Sequence, residues 1–217
     1  AKAIGCEYTF KDGSKQKVGT IGSIGCTSFF PSKNLGCYGD GGAIFTNNDD
    51  LALKLRQIAN HGQSRQYIHD RVGVNSRLDS IQAAILRIKL RHLDSYNAKR
   101  SETADFYDKV FKNQTKVKIP ARVPYSNHVF HQYTLQLNGV DRDKMREFLL
   151  KKGVPAMIYY PIPLHLQEAY KDPRYKAGDF PVTEKLCDVV ISLPMQTELD
   201  NNQLEYITNT VLTFLNK

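Results

Sequence analysis

A glycine-rich turn between two short apolar segments is the feature that most restricts how this chain can fold. Residues 24–30 and 43–46 have the length and apolar composition of short buried strands. Four glycines lie between them: Gly36, Gly39, Gly41 and Gly42. Glycine lets a backbone bend sharply and approach another group closely. The sequence therefore predicts two strands joined by a tight loop whose backbone can approach a flat or phosphorylated ligand.

Lys33 lies in this loop, directly after the first apolar segment. A lysine that forms a covalent imine needs an amine that is neutral part of the time, which partial burial favours. Ile24, Phe29 and Phe30 could provide apolar walls for such a site. A lone lysine after a strand is more often an ordinary solvent-exposed side chain. These residues alone leave both interpretations open.

A longer stretch of the sequence around Lys33 resembles a known protein family. Residues 27–46 contain Ser-Phe-Phe-Pro-Ser-Lys and Gly-Asp-Gly-Gly, and this segment resembles the pyridoxal-phosphate lysine segment of DegT/StrS nucleotide-sugar aminotransferases, which are fold-type I enzymes. The resemblance continues through Arg-Val-Gly-Val-Asn-Ser-Arg-Leu-Asp at 71–79 and Tyr-Tyr-Pro-Ile-Pro-Leu at 159–164, and ends at Ser-Leu-Pro-Met, residues 192–195. It therefore spans nearly the whole chain, and it is closest to the WbpE-like branch.

The resemblance implies five site residues. Lys33 would carry pyridoxal 5'-phosphate as an imine and transfer protons, and Ser28 would bind the cofactor phosphate. Asn75 and Arg77 match an Asn-x-Arg segment that reaches into the neighbouring active site of a dimer. Asn75 would contact the cofactor, and Arg77 would bind a substrate carboxylate or phosphate. Tyr160 would line the sugar site, on a segment stiffened by prolines.

Each assignment has an ordinary structural alternative. A serine at a strand end often bonds only to nearby backbone, and an arginine in a first helical turn often forms a surface ion pair. Tyr159 and Tyr160 could be strand aromatics that face opposite sides.

The residue at position 33 also bears on the type of reaction that the resemblance implies. Lysine at this position favours transamination, because the family's dehydratases carry histidine there.

The implied function is amination of a nucleotide-linked keto sugar with glutamate as donor, in surface-polysaccharide biosynthesis. Within the WbpE-like branch the substrate is a UDP-linked 3-keto-N-acetylglucosaminuronic acid, aminated at C3. The implied assembly is a homodimer with shared active sites. No residue here corresponds to the family aspartate that pairs with the cofactor ring nitrogen, so the chain resembles only the C-terminal part and is not expected to be fully active alone. The alternative is a non-catalytic regulatory or scaffold protein derived from an aminotransferase.

The fold implied is α/β. Residues 1–112 would be the later part of a fold-type I PLP-transferase large domain, with a mixed, mostly parallel sheet and a long bridging helix from near Ser76 to about Lys99. Residues 113–217 would form a small α+β domain. The patterns there predict strands at 131–137 and 155–160, and helices at 142–152, 182–190 and 200–216.

Net charge and cysteine spacing limit the kinds of partner and metal that this chain is expected to bind. The net charge of +8 admits an anionic partner, but the basic residues are dispersed and no groove-reading or base-stacking pattern is present. A diphosphate-bearing nucleotide sugar is also anionic. The four cysteines have no metal-ligand spacing, and they are expected to be reduced thiols. We therefore expect a cytoplasmic protein with no metal, no nucleic-acid partner and no membrane partner.

Overall fold

A computed structural model describes residues 2–217, which divide into two compact units. The first contains the residues up to 98 together with 123–131, and the second contains 99–122 and 132–217. The sequence instead predicts a boundary after residue 112. The difference arises because Tyr107, on the last long helix before that boundary, packs on Tyr133 of the second unit, whereas the Tyr125 carbonyl accepts a hydrogen bond from Thr9 N in the first unit. The domain limits 1–112 and 113–217 stay a prediction.

The first unit combines short strand pairs with helices. Its strands are β1 (Glu7–Thr9), β2 (Lys15–Lys17), β3 (Gly25–Ser28), β4 (Gly42–Phe45), β5 (Gln63–Arg65) and β6 (Ile68–His69). Its helices are α1 (Asp49–Ala59), α2 (Ser80–Lys89) and the start of α3 (Leu93–Phe111), with a 3₁₀ turn at Leu90–His92. The two strands predicted around the glycine-rich loop are confirmed as β3 and β4, but the predicted burial is wrong, because every residue of both strands is partly or fully exposed.

The mostly parallel sheet is wrong for the described residues, since every strand pair between residues 2 and 217 is antiparallel. β3 lies antiparallel to β4, with Cys26 opposite Ile44. A parallel pair needs a crossover connection, usually a helix, whereas the loop between β3 and β4 contains none. The mixed α/β class itself is confirmed.

The long bridging helix differs from its predicted limits. α2 begins at Ser80, four residues after the predicted start at Ser76, and Asp79 caps it without a side-chain hydrogen bond. The chain tightens into a 3₁₀ turn and then continues as α3 to Phe111. The sequence therefore predicted a helical region here, but not its start, its interruption or its end, which lies at Phe111 and not near Lys99.

The core of the first unit forms around the glycine-rich loop. Phe29, Leu35 and Cys37 from the loop pack against Leu86 of α2 and Leu93 of α3. Because the loop supplies three of these buried side chains, it is held in place by the same apolar contacts that stabilise the unit.

The second unit is an antiparallel three-stranded sheet with helices. It contains β7 (Val117–Lys118), β8 (Tyr133–Leu137), α4 (Arg142–Lys151), α5 (Pro181–Val189), β9 (Val190–Leu193) and α6 (Asn201–Leu215), with 3₁₀ turns at Leu164–Leu166 and Glu168–Tyr170. β8 lies between β7 and β9. The largest buried side chains include Tyr107, Phe111, Tyr133, Met145 and Ile191.

The strand predicted at 155–160 is wrong. Only Met157 pairs there, exchanging two backbone hydrogen bonds with Ser192 of β9. Pro155 and Pro161 flank the segment, and proline has no N–H to continue a ladder.

Candidate functional site

The Lys33 loop is a hydrogen-bonded turn that leaves the core and returns to it. Lys33 N donates to Phe30 O at 2.9 Å, and Cys37 N donates to Phe29 O at 2.8 Å. Phe29 N in turn donates to Gly41 O at 2.7 Å. Lys33 is half-buried, whereas the next four residues are buried. The lysine therefore lies where a fixed backbone reaches the surface.

Gly36 shows why this loop needs glycine. A Cβ added there would lie 2.4 Å from Pro31 O and 2.8 Å from Phe30 O, closer than a Cβ can approach a carbonyl oxygen. The Gly36 carbonyl accepts a hydrogen bond from Lys89 Nζ at 2.6 Å. The chain therefore folds back tightly around Lys33 and is fixed to α2.

Ser28 is the last residue of β3, and its side chain is partly buried. Its Oγ accepts a hydrogen bond from Phe30 N at 3.2 Å. This local bond is the ordinary role expected of a strand-end serine, and it still leaves the hydroxyl hydrogen for an acceptor such as a phosphate oxygen.

Asn75 and Arg77 contact each other, which the sequence analysis did not predict. Arg77 Nε donates to Asn75 Oδ1 at 3.0 Å, and both residues are exposed. They line an open cleft of about 830 Å³ beside the β3–β4 pair, which Asp40 and Thr27 also line. Ser28 and Lys33 are not among the residues that line this cleft. The structure thus brings Asn75 and Arg77 together, and it places Ser28 and Lys33 at the start of the glycine-rich loop, outside the lining of this cleft.

Tyr160 belongs to the second unit, where its side chain is 60% exposed. It lines a cleft of about 490 Å³ together with Pro163, Leu186 and Val190. Its ring contacts Tyr159 edge-on, with 5.6 Å between centroids. The aromatic side chain is thus presented at a mostly apolar cleft.

Glu184 anchors the segment that follows Tyr160, which the sequence did not predict. Its carboxylate accepts hydrogen bonds from Gly178 N at 2.9 Å and from Phe180 N at 3.2 Å. The carboxylate also lies 3.1 Å from Nε2 of His165, a partly buried residue. The hydrogen bond from Gly178, with those from Phe180 and His165, lowers the pKa of Glu184. No sequence signal links Glu184 to these partners, because they meet only in the folded unit.

The donor groups present fit part of pyridoxal phosphate. Its aldehyde requires a lysine amine, which Lys33 provides, and its phosphate requires N–H or O–H donors. The free hydroxyl hydrogen of Ser28 is such a donor, and the Asn75 amide and Arg77 guanidinium are others. The side chains described here therefore suit the aldehyde and phosphate ends of the cofactor.

A half-buried lysine on a loop held by backbone hydrogen bonds, five residues after a strand-end serine, is the feature best suited to covalent catalysis by an amine. The family model described as the DegT/DnrJ/EryC1/StrS aminotransferase family matches residues 1–212. The chain belongs to this family.

Two curated relatives are similar over most of the chain. The UDP-2-acetamido-2-deoxy-3-oxo-D-glucuronate aminotransferase of Pseudomonas aeruginosa is 44% identical over 95% of this chain and 55% of its own length. The "Pleiotropic regulatory protein" of Geobacillus stearothermophilus is 43% identical over 99% of this chain and 56% of its own length. The chain thus spans about half the length of these relatives.

The fold is also shared with solved structures. S. venezuelae DesV, in complex with a ketimine intermediate, superposes with a TM-score of 0.91 at 36% identity, over 100% of this chain and 57% of that chain. Aminotransferases of this family depend on pyridoxal phosphate.

Among residues 2–217, no helix is both long and apolar enough to cross a membrane. Nor do three or more His, Cys, Asp or Glu side chains of this range come together as a metal site would require.

Proposed function

We propose that this chain forms the lysine-bearing part of a pyridoxal-phosphate-dependent aminotransferase that acts on a nucleotide-linked keto sugar, with glutamate as amino donor. The observation that carries the proposal is the position of Lys33, half-buried at the surface of a loop fixed on both sides to the core. A lysine that must react repeatedly with a cofactor aldehyde needs such fixed placement.

The side chains of this chain would have separate roles. Lys33 would hold the cofactor through its amine and, once freed, would take the proton from the Cα of the amino donor. Ser28 would donate its free hydroxyl hydrogen to the phosphate, with Asn75 as a further donor. When bound, pyridoxal phosphate supplies an electron-withdrawing ring that stabilises negative charge at the reacting carbon.

Arg77 and Tyr160 are proposed for substrate binding. The Arg77 guanidinium can bind a carboxylate through two hydrogen bonds, which suits a uronic acid or glutamate. Its Nε already contacts Asn75, and that contact restricts its direction. Tyr160 presents an exposed ring beside a mostly apolar cleft, which suits stacking on a sugar face.

The substrate class and the assembly are also proposals. The similarity to the P. aeruginosa enzyme supports a UDP-linked 3-keto-N-acetylglucosaminuronic acid, as in surface-polysaccharide biosynthesis. Asn75 and Arg77 line a cleft that Lys33 does not line, which is compatible with a homodimer in which they serve the partner's site. An amine-transfer assay with UDP- and dTDP-linked keto sugars on the protein that contains this chain would compare the substrates.

The proposal is tested by adding pyridoxal phosphate to the 217-residue chain and recording absorbance before and after borohydride reduction. We expect a band near about 410–430 nm that reduction fixes to Lys33, identified by peptide mass spectrometry. Lys33→Ala should abolish it. Lys54→Ala removes an exposed lysine of α1 and should leave it unchanged.

A second candidate is a non-catalytic regulatory or scaffold protein. The observation in its favour is the 43% identity to the relative named "Pleiotropic regulatory protein". It would be supported if the chain folded but gave no Lys33-dependent band, and if Lys33→Ala behaved as the unaltered chain does.

A further inference from the structure

Asn34, the residue after Lys33, is buried at 6% exposure, and both hydrogens of its side-chain amide are used. Nδ2 donates to Asn97 Oδ1 at 2.8 Å and to Val129 O at 2.8 Å. Asn97 is itself buried, and its Nδ2 donates to Ile4 O at 3.1 Å. Through two amides, the Lys33 loop is therefore joined to three segments distant in sequence.

The space around this pair is tightly filled. A Cβ added at Gly5 would lie 2.4 Å from Asn97 Nδ2, so the Asn97 amide has little room to move. Asn97 in turn fixes the position of the acceptor that Asn34 requires. The Asn34 side chain consequently has one orientation in which both of its donations are made.

The amide of Asn34 makes two hydrogen bonds through its nitrogen and, within residues 2–217, none through its oxygen. Asn34 Oδ1 accepts no hydrogen bond among the described residues although it is buried, which is unfavourable. An apolar side chain of similar size would fill the space without that cost. What only the amide provides is the pair of directed donations that orient the backbone beside Lys33.

We propose that Asn34 is a positioning residue for Lys33: its buried amide ties the loop to α3 and to residues 123–131, and so sets where the Lys33 amine is held. The inference rests on the function proposed for Lys33. Leu35 and Cys37 hold the later part of the loop by apolar contact, whereas Asn34 is the polar attachment next to the lysine itself.

The first measurement requires no cofactor. The chain is treated with trace acetic anhydride, and peptide mass spectrometry gives the acetylation rate of Lys33 relative to exposed Lys54. Asn34→Ala should raise this ratio severalfold, because a loosened loop exposes the amine. Asn97→Ala removes the acceptor while keeping Asn34, and it should act in the same direction if Asn34→Ala fails to fold.

The second measurement uses pyridoxal phosphate with borohydride. In folded Asn34→Ala chain, the yield of cofactor fixed to Lys33 should fall about tenfold, since small displacements of a reacting group have large effects on rate. Circular dichroism establishes that each variant is folded. Asp141→Ala removes the N-cap of α4, which contains neither Lys33 nor Lys54, and it should lower stability without changing either readout.

The outcomes separate this inference from the proposed function. If neither folded variant changes the Lys33 acetylation ratio or the fixed yield, Asn34 has only a structural role and the inference is wrong. If the unaltered chain fixes no cofactor at Lys33 but Asn34→Ala still changes the acetylation ratio, the positioning role holds and the proposed function fails.

Discussion

Gly62 illustrates how one position can exclude every side chain. Its backbone has φ +73°, and an added Cβ would lie 1.7 Å from Arg71 O. Its N–H donates to Gln57 O at 2.7 Å where α1 ends. The turn after α1 therefore depends on both the conformational freedom and the small size of glycine.

Gly62→Ala should lower the free energy of unfolding by more than about 3 kcal/mol, because backbone atoms must move in addition to the strained φ. Gly13→Ala is the matched control, since Gly13 also has positive φ (+84°) but nothing within 4 Å of its added Cβ. The control should lose only about 1 kcal/mol in urea denaturation. Equal losses for the two variants would show that crowding at Gly62 is unimportant.

Glu184 should make the second unit sensitive to acid. Its folded-state pKa lies below the ordinary value of 4.5, chiefly because Gly178 N donates to the carboxylate. A lowered pKa stabilises the fold at pH values above the ordinary value, and this contribution is lost as the pH falls through the lowered one. Acid should therefore release the hydrogen bonds that hold the segment after Tyr160.

The test is Glu184→Gln, followed by urea denaturation at several pH values between about 6 and 3. The stability difference from the unaltered chain should be largest near pH 6 and shrink towards pH 3. Glu205→Gln changes an exposed glutamate of α6 and should show no comparable trend. A difference that is independent of pH would contradict a role for the ionised carboxylate.

The starts of α4 and α6 were predicted to within one residue, because their caps are local. Asp141 caps α4 by accepting from Lys144 N at 3.0 Å, and Asn48 caps α1 in the same way by accepting from Leu51 N at 2.9 Å. Asp200 and Gln203 form a capping box at the start of α6. In each case the donor and acceptor are three residues apart, so the sequence contains the whole interaction.

Asp200→Ala should destabilise the chain by about 1 kcal/mol, since it leaves the Gln203 N–H without its acceptor. Asn202→Ala is a control in the same helical turn. Thermal unfolding of Asp200→Ala, Gln203→Ala and the double variant Asp200→Ala/Gln203→Ala completes a double-mutant cycle, with Asn202→Ala measured beside it. The double variant should lose less than the sum of the single losses, because the two bonds belong to one motif.

Elements that depend on distant partners were predicted less well. The apolar stripe of α2 suggests a buried face, yet Ile81 and Ile88 are 73% and 61% exposed and only Leu86 is buried. Periodicity identifies an apolar face but not what covers it. Similarly, apolar content around residue 157 could not show that only one residue would pair with β9.

At the scale of the whole molecule, apolar side chains are exposed on and next to the β3–β4 pair. Ile44 of β4 is 53% exposed, and Ile24 and Phe30, on either side of β3, are 45% and 49% exposed. Among the described residues, no further strand pairs with the outer edge of β3 or of β4. Such surfaces favour association through edges or apolar faces. We expect the 217-residue chain to self-associate in sedimentation velocity at micromolar concentration.

Ile44→Thr should reduce this association, because it replaces an exposed apolar side chain by a smaller polar one in the middle of β4. Val182→Thr is the control, since Val182 is 72% exposed but lies in the second unit. An unaltered chain that stays monomeric at high concentration would contradict the prediction.

The sequence by itself determined the features that are encoded within a few residues: the strands around the glycine-rich loop, the helix caps and the position of Lys33 in that loop. The motif around Lys33 also led to the family, which the match over residues 1–212 confirmed. Only the tertiary structure decided that the strand pairs are antiparallel, that Asn34 and Asn97 meet in the core, and that Glu184 anchors the segment after Tyr160. The physical reason is that these contacts join residues far apart in the chain, and a hydrogen bond between distant segments leaves no periodic or local signal in the sequence.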